Sequence, residues 1–211
     1  MKSAIILSYH KSNRYKDLYP KCLIEINGQT LLEKQIDFLR QNGCTDINII
    51  GGYKIDSLKD NKDINVIYCQ GYETFSEVQI LDFALDKIYY SSELFLIFGN
   101  VHIEASKINS DSSYVLTNEH KNGIGCFSYD DKIIRMSFDA KEKWGKVLYL
   151  NTQALDILKN EDKKNHYFIF ELINLIIDNK CKVQGIRHNI CNIDTKRDIM
   201  NAENILPDAT N

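Results

Sequence analysis

Short unbroken apolar runs alternate with stretches whose apolar residues return every three or four positions, and this change of period recurs along the first half of the chain. Ala4 to Leu7, Ile47 to Ile50, Asn65 to Tyr68 and Leu94 to Phe98 read as strands, with a short extended piece at Cys22 to Ile26. Between them, Thr30 is placed to cap a helix with apolar Leu31, Leu32, Ile36, Phe38 and Leu39, and Gly43 ends it. Ser76 to Tyr90 reads as a second helix with Val78, Leu81, Ala84, Leu85 and Ile88 inward. Strands that are apolar on both faces must be covered on both faces, and strands separated by helices pair in parallel. The expectation is an α/β fold: Rossmann-like, three-layer α/β/α, with a mostly parallel central sheet in a single domain.

The second half continues the pattern less regularly. Tyr114 to Leu150 reads as further strands and turns, with Tyr129-Asp130-Asp131-Lys132 as a hairpin turn. Helices follow from Thr152 to Leu158 and from Phe168 to Ile177, a last strand falls within Val183 to Ile193, and Thr195 caps a final helix through Glu203. The chain has only two prolines, Pro20 and Pro207, and no Gly/Ser/Pro-rich linker, so one domain is expected over residues 1–206 with a frayed tail at 207–211.

A chain of 211 residues, 44% of them hydrophobic, buries roughly 70% of its unfolded surface and can sustain a core without disulfides or metal staples. The six cysteines are spread out with no C-x-x-C pair and sit mostly in apolar segments, as free thiols acting as small hydrophobes do. A net charge of −3 with no Lys/Arg block argues against a nucleic-acid partner or an anionic membrane surface. No apolar run approaches the roughly 20 residues of a membrane span, and the four-residue apolar run near Met1 falls short of a signal core of about 7–15 residues. The expected location is cytoplasmic.

Several polar pieces stand in a fixed order around these elements. After the first strand comes Ser8-Tyr9-His10-Lys11-Ser12-Asn13-Arg14, then Pro20-Lys21, then the turn Asn27-Gly28, then a strand ending in Gly52-Tyr53. Phe98-Gly99-Asn100 follows the central strand, and Asn192-Ile193-Asp194-Thr195-Lys196-Arg197-Asp198 precedes Ala202-Glu203. This arrangement resembles the nucleotidyltransferases of the sugar-nucleotide and phosphocholine cytidylyltransferase type, with a MobA-like NTP transferase fold. Their pattern runs A-A-G-x-G-S/T-R, P-K-x-L, N-G-K-T/P-L-L, a strand ending in G-Y, an aspartate after the central strand, and E-I-D-T-P-E-D-L-x-x-A-E near the end.

The resemblance implies attack by a phosphate or phosphonate oxygen on the α-phosphorus of a nucleoside triphosphate, with pyrophosphate leaving. Positioning and charge neutralisation carry such a reaction. It implies Arg14 and Lys21 as the catalytic cations, and Ser8, His10, Ser12, Asn13, Gly52, Tyr53, Gln70 and Ser76 along the nucleotide. It further implies Asn100, Asn192 and Asp194 around Mg²⁺ or Mn²⁺. CTP is the favoured donor by the same resemblance, a small phosphorylated compound destined for a surface glycan, capsule or lipid is the acceptor, and a homodimer is a candidate assembly.

The active site is divergent. His10 and Ser12 replace two loop glycines that permit positive φ and close backbone approach to phosphate. Asn100 and Asn192 replace two carboxylates while Arg14, Lys21 and Asp194 are retained; His102, Glu104 and Glu77 are candidate replacements. Without the resemblance, Arg14 and Lys21 are solvated charges, His10 is a loop histidine without a known partner, and Asp194 stabilises a helix start. Two readings therefore stand: a nucleotidyltransferase, or a protein of the same fold that binds a partner after losing catalysis.

Overall fold

The computed structural model describes residues 2–9, 11, 19–58, 64–90, 92–119, 123–160 and 162–204. The sequence expectations for His10, Ser12, Asn13, Arg14 and the tail at 207–211 lie outside the described residues.

The first half is strand, helix, strand as the period change requires. Strand β1 (Lys2–Ser8) is followed by a small hairpin, β2 (Glu25–Ile26) and β3 (Gln29–Thr30). Asn27 and Gly28 turn that hairpin with φ of 54° and 79°, the two left-handed residues of a type I′ turn. Helix α1 (Leu31–Gln41) begins where Thr30 accepts the Glu33 N–H and Glu33 accepts the Thr30 N–H. Strands β4 (Cys44–Gly51) and β5 (Asn65–Tyr68) precede α2 (Glu77–Lys87), capped by Ser76, and β6 (Glu93–Phe98). The α2 helix stops short of the expected Tyr90 because Ile88 is already extended, with φ −108° and ψ 152°.

After β6 the alternation breaks. The chain runs through β7 (Val101–Ile103), β8 (Ser113–Asn118), β9 (Gly125–Tyr129), β10 (Lys132–Ser137) and β11 (Glu142–Leu150) before a helix returns. Helices α3 (Thr152–Asn160) and α4 (Ile169–Asp178) follow, then β12 (Val183–Arg187), β13 (Ile190–Asn192) and α5 (Lys196–Glu203). Asp130 and Asp131, at φ 50° and 56°, make the expected hairpin turn between β9 and β10.

Nine strands form one sheet in the order β5-β4-β1-β6-β11-β8-β12-β10-β9. The β5-β4, β4-β1, β1-β6 and β8-β12 pairings are parallel; β11 runs antiparallel to β6 and β8, and β10 runs antiparallel to β12 and β9. The sheet is thus mixed rather than parallel throughout. Parallel neighbours need a crossover of a dozen or more residues, usually a helix, and the helix-free stretch between β7 and β11 pairs through antiparallel turns. Helix α1 packs on β4 and β7, whereas α4 touches both α2 and α3, with α3 against β6 and β11. Right-handed crossovers that leave β1 toward β4 and return from β5 to β6 put α1 and α2 on opposite faces. All six cysteines are free and buried. Among the described residues no helix is long and apolar enough to cross a membrane.

The order β4-β1-β6 makes the carboxyl ends of β1 and β6 the place where the strand order reverses, the crevice at which open α/β sheets bind ligands. Leu7 pairs with Phe98 and Ser8 with Gly51, so these strand ends are level. Gly99 donates its N–H to the Leu7 carbonyl at 2.8 Å, and a Cβ on it would meet Ser8 Cβ at 2.7 Å. The turn after β6 is held from below by Gln35, fully buried on α1, whose Nε2 donates to the carbonyls of Phe98 at 3.1 Å and Val101 at 2.7 Å. Gln35→Leu leaves both carbonyls without that donor and is expected to lower the unfolding free energy in urea by about 2–4 kcal/mol. A loss below about 1 kcal/mol would show that the carbonyls find other donors and that Gln35 does not hold the turn.

Candidate active site

A cleft of about 180 Å³ opens at this strand-end crevice, lined by Leu7, Ser8, Lys21, Glu77, Phe98, Gly99, Asn100, Lys146 and Asp194. Lys21 arrives on a short 3-10 turn, Lys21–Leu23, which takes Cys22 and Leu23 out of the expected extended piece and leaves Glu25–Ile26 as its strand. Pro20 starts the turn with φ −60°, Leu23 donates its N–H to the Pro20 carbonyl at 3.0 Å, and Cys22 anchors it in the core.

Asp194 comes from the opposite end of the chain. Its carboxylate Oδ1 accepts from Lys21 Nζ at 2.8 Å and from Asn100 Nδ2 at 3.1 Å. Asn100 is brought alongside because Ile193 donates its N–H to the Asn100 carbonyl at 2.7 Å. The simple reading of Asp194 as a helix cap fails on geometry. Thr195 and Asp198 form the capping box of α5, and Asp198 Oδ2 accepts the N–H groups of both Asp194 and Thr195. The Asp194 carboxylate is left to face the cleft.

The electrostatics follow from these contacts. Burial pushes the Asp194 carboxyl up, but the Lys21 hydrogen bond and charge, the Lys146 charge and the Asn100 amide outweigh it and hold it below its ordinary value of 3.8. Glu77, the first residue of α2, is pushed above the ordinary carboxyl range by burial, against the Ile169 N–H, which it accepts at 3.0 Å, and the Lys146 charge.

Lys146 is the residue that reading the sequence missed. It lies inside β11 with φ 61°, and among the described non-glycine residues with positive φ it alone is within a strand. The β11–β8 register shifts between Trp144 and Leu148, and Trp144 Nε1 donates to the Val147 carbonyl across the kink at 3.0 Å. Such an irregularity re-aims a side chain, here the Lys146 ammonium, which sits 5.1 Å from the centre of the Phe98 ring. A left-handed conformation costs a lysine roughly 1 kcal/mol. The available signal was Gly145, an isolated glycine inside a strand pattern, which suggests a bulge.

Of the expected site residues, Ser8, Lys21, Asn100 and Asp194 meet in the cleft. Gly52, Tyr53, Gln70, Ser76 and Asn192 stand outside it. Gly52 is buried under Tyr72, whose Cγ a Cβ there would meet at 2.1 Å. Tyr53 donates its N–H to the Tyr9 carbonyl at 3.2 Å and has the ammonium groups of Lys11 and Lys54 each 5.6 Å from its ring centre. Gln70 is exposed, and Ser76 accepts the Gln79 N–H as the α2 cap. Asn192 is paired with Val101 through β13 and β7, and its Oδ1 is buried with no hydrogen-bond partner among the described residues.

Of the candidate replacement groups, only Glu77 reaches the cleft. His102 and Glu104 pair with each other at 3.1 Å outside it, where Glu104 also accepts from Lys34 at 3.1 Å.

The expected donors do not form an all-protein cage for a resident Mg²⁺ or Mn²⁺. Asn100, Asn192 and Asp194 bring one carboxylate, which already carries Lys21, and Asn100 turns an amide N–H toward it. Mg²⁺ is usually held by one or two carboxylates together with substrate phosphates, and the one expected carboxylate here is engaged by Lys21. Among the described residues no group of three or more His, Cys, Asp or Glu is arranged to hold a metal ion.

No family model matches the chain. It is 25% identical to the bifunctional protein GlmU of Clostridium novyi (strain NT) over 238 residues, covering 97% of this chain and 52% of that protein. It is 33% identical to the choline-phosphate cytidylyltransferase of Streptococcus pneumoniae (strain ATCC BAA-255 / R6) over 79 residues, 35% of this chain and 34% of that one. The chain thus spans about half the length of the first relative and about a third of the second.

Among solved structures, the CTP:phosphocholine cytidylyltransferase LicC from Streptococcus pneumoniae superposes with a TM-score of 0.78 at 23% identity, over 98% of this chain and 99% of that one. The inositol-1-phosphate CTP transferase from T. maritima gives 0.74 at 12% identity, over 98% of both chains. The chain has the nucleotidyltransferase fold.

The Lys21–Asp194 pair makes a pH prediction. The folded carboxyl titrates below the unfolded one, so the unfolded chain binds more protons between the two values. The stabilisation is complete above about pH 4 and is lost as pH falls through the folded value. Because Asp194 is 42% exposed, solvent limits the pair to about 1 kcal/mol or less. Asp194→Asn is expected to lower the urea midpoint at pH 7, with the gap to the parent protein closing toward pH 3. A gap that is constant over that range would mean that the carboxylate charge contributes nothing.

Proposed function

We propose, on the nucleotidyltransferase fold that this chain has, that the protein transfers a nucleoside monophosphate from a nucleoside triphosphate to a small phosphorylated or phosphonate acceptor, releasing pyrophosphate. The observation that carries the reading is the meeting of Lys21, Asn100 and Asp194, with Lys21 and Asp194 separated by 173 positions in the chain, at the strand-end crevice where such sheets bind ligands.

In this reading an acceptor oxygen attacks the α-phosphorus and pyrophosphate departs. The chain's part is positioning and charge. Lys21 places an ammonium at the phosphates, and Asp194 fixes that ammonium's direction through the 2.8 Å contact. The Asn100 amide and the Ser8 hydroxyl supply polar contacts at the floor. CTP is the favoured donor because the pneumococcal and T. maritima structures are named as CTP-dependent transferases and the 33% stretch is shared with a choline-phosphate cytidylyltransferase.

Thermal unfolding with each nucleoside triphosphate tests this before any acceptor is known. CTP at about 100 times its Kd stabilises the folded state by about 2.7 kcal/mol, a rise in Tm of roughly 5–10 °C for a chain of this size. Lys21→Ala is expected to abolish the rise. No rise with any triphosphate at millimolar concentration would overturn the reading and favour the partner-binding protein.

A further inference from the structure

The cleft holds more positive charge than its carboxylates neutralise by contact. Lys21 is paired to Asp194. Lys146 has no carboxylate at ion-pair distance among the described residues, although the fields of Asp194 and Glu77 reach it. Its close neighbour is the face of Phe98, so a half-buried ammonium is presented to the cleft with its hydrogen-bonding capacity available to a ligand.

The backbone conveys the same message independently. A positive φ inside a strand is a conformation that glycine adopts freely and lysine does not, yet lysine stands there and its ammonium lines the cleft. The remaining polar groups suit an anion better than a cation. Both carboxylates of the cleft already have donors, Asp194 from Lys21 and the Asn100 amide N–H and Glu77 from the Ile169 N–H, and Ser8 presents a hydroxyl.

Building on the nucleotide reading above, we propose that Lys146 and Lys21 together balance the phosphate chain of the bound nucleoside triphosphate, so that nucleotide binding does not require a divalent cation. Lys146 takes over part of the charge neutralisation that a metal held by several carboxylates supplies at other phosphate sites. The ligand class is a nucleoside polyphosphate, and a nucleoside monophosphate binds more weakly because it presents too little charge to both ammonium groups.

Titration calorimetry of the full chain with each of the four ribonucleoside triphosphates, and with CMP, in excess EDTA and then in millimolar Mg²⁺, tests the proposal. The expected result is one triphosphate that binds in EDTA within about threefold of its affinity in Mg²⁺, since each charged contact is worth about tenfold or more and two are in place. Two variants separate charge from backbone. Lys146→Gly relieves the left-handed residue, and Lys146→Asn keeps a residue that tolerates it. Both are expected to weaken triphosphate binding in EDTA by about tenfold or more, while Lys146→Gly raises the ligand-free Tm.

Triphosphate binding that needs Mg²⁺ and vanishes in EDTA overturns the inference and leaves the nucleotide reading standing. Unchanged EDTA affinity in both folded variants, or CMP binding as tightly as the triphosphate, overturns it as well. No triphosphate binding by folded parent protein in either buffer overturns both readings.

Discussion

Strand β1 is hydrogen-bonded on both edges, in parallel to β4 on one side and β6 on the other, and the rest of the molecule depends on that double pairing. Its interior residues Ala4, Ile5 and Ile6 are fully buried, so a slip of one residue would exchange the side chains facing the two helical layers. The pairing also places Ser8, Gly51 and Phe98 at one edge, where Gly99 can approach Ser8 because it has no Cβ. The cleft is therefore a consequence of the sheet register. The loops that bring Lys21 and Asp194 need only reach a position already defined.

Those two residues come from opposite ends of the chain and meet through different supports. Lys21 is held by a proline-initiated turn with a buried cysteine beneath it. Asp194 is held by the α5 capping box and by the Ile193 hydrogen bond to Asn100. A carboxylate with two donors on one oxygen is oriented before any ligand enters, which reduces the ordering cost of binding. The partial exposure of Asp194 means that this pair contributes orientation more than stability.

What could be read from the sequence follows from how local each determinant is. Asn27-Gly28 and Asp130-Asp131 were legible as turns because those residues tolerate positive φ, and Thr30 and Thr195 as caps because capping is decided within four residues. The direction of β8 to β12 was not legible. An apolar run specifies burial but not its partner, and only the lack of helices between β7 and β11 hinted at antiparallel pairing. Lys21, Asn100 and Asp194 were implied by the family resemblance, whereas Gly52 and Ser76 were implied by the same resemblance and proved to serve packing and capping. Spacing identifies the segment that reaches a site, but side-chain direction depends on neighbours distant in the chain.

Lys146 illustrates the limit of motif reading most clearly. It enters from β11, which runs antiparallel to β6, so its place at the cleft depends on strand pairing and on a kink that no spacing rule encodes. The other described cleft residues come from the parallel strand ends or from segments tied to them. Replacing carboxylates by Asn100 and Asn192 looks like erosion when only those positions are read. With Lys146 included, the cleft makes a consistent set: two engaged carboxylates, Asp194 and Glu77, an amide donor and two ammonium groups at one crevice. A carboxylate added at position 100 would sit beside Asp194 and compete for Lys21, so the asparagine and the two lysines support one another electrostatically. The absence of a carboxylate at position 100 and the positive charge of Lys146 act in the same direction on a phosphate ligand, and the left-handed backbone of Lys146 carries its conformational cost at the point where the ammonium lines the cleft.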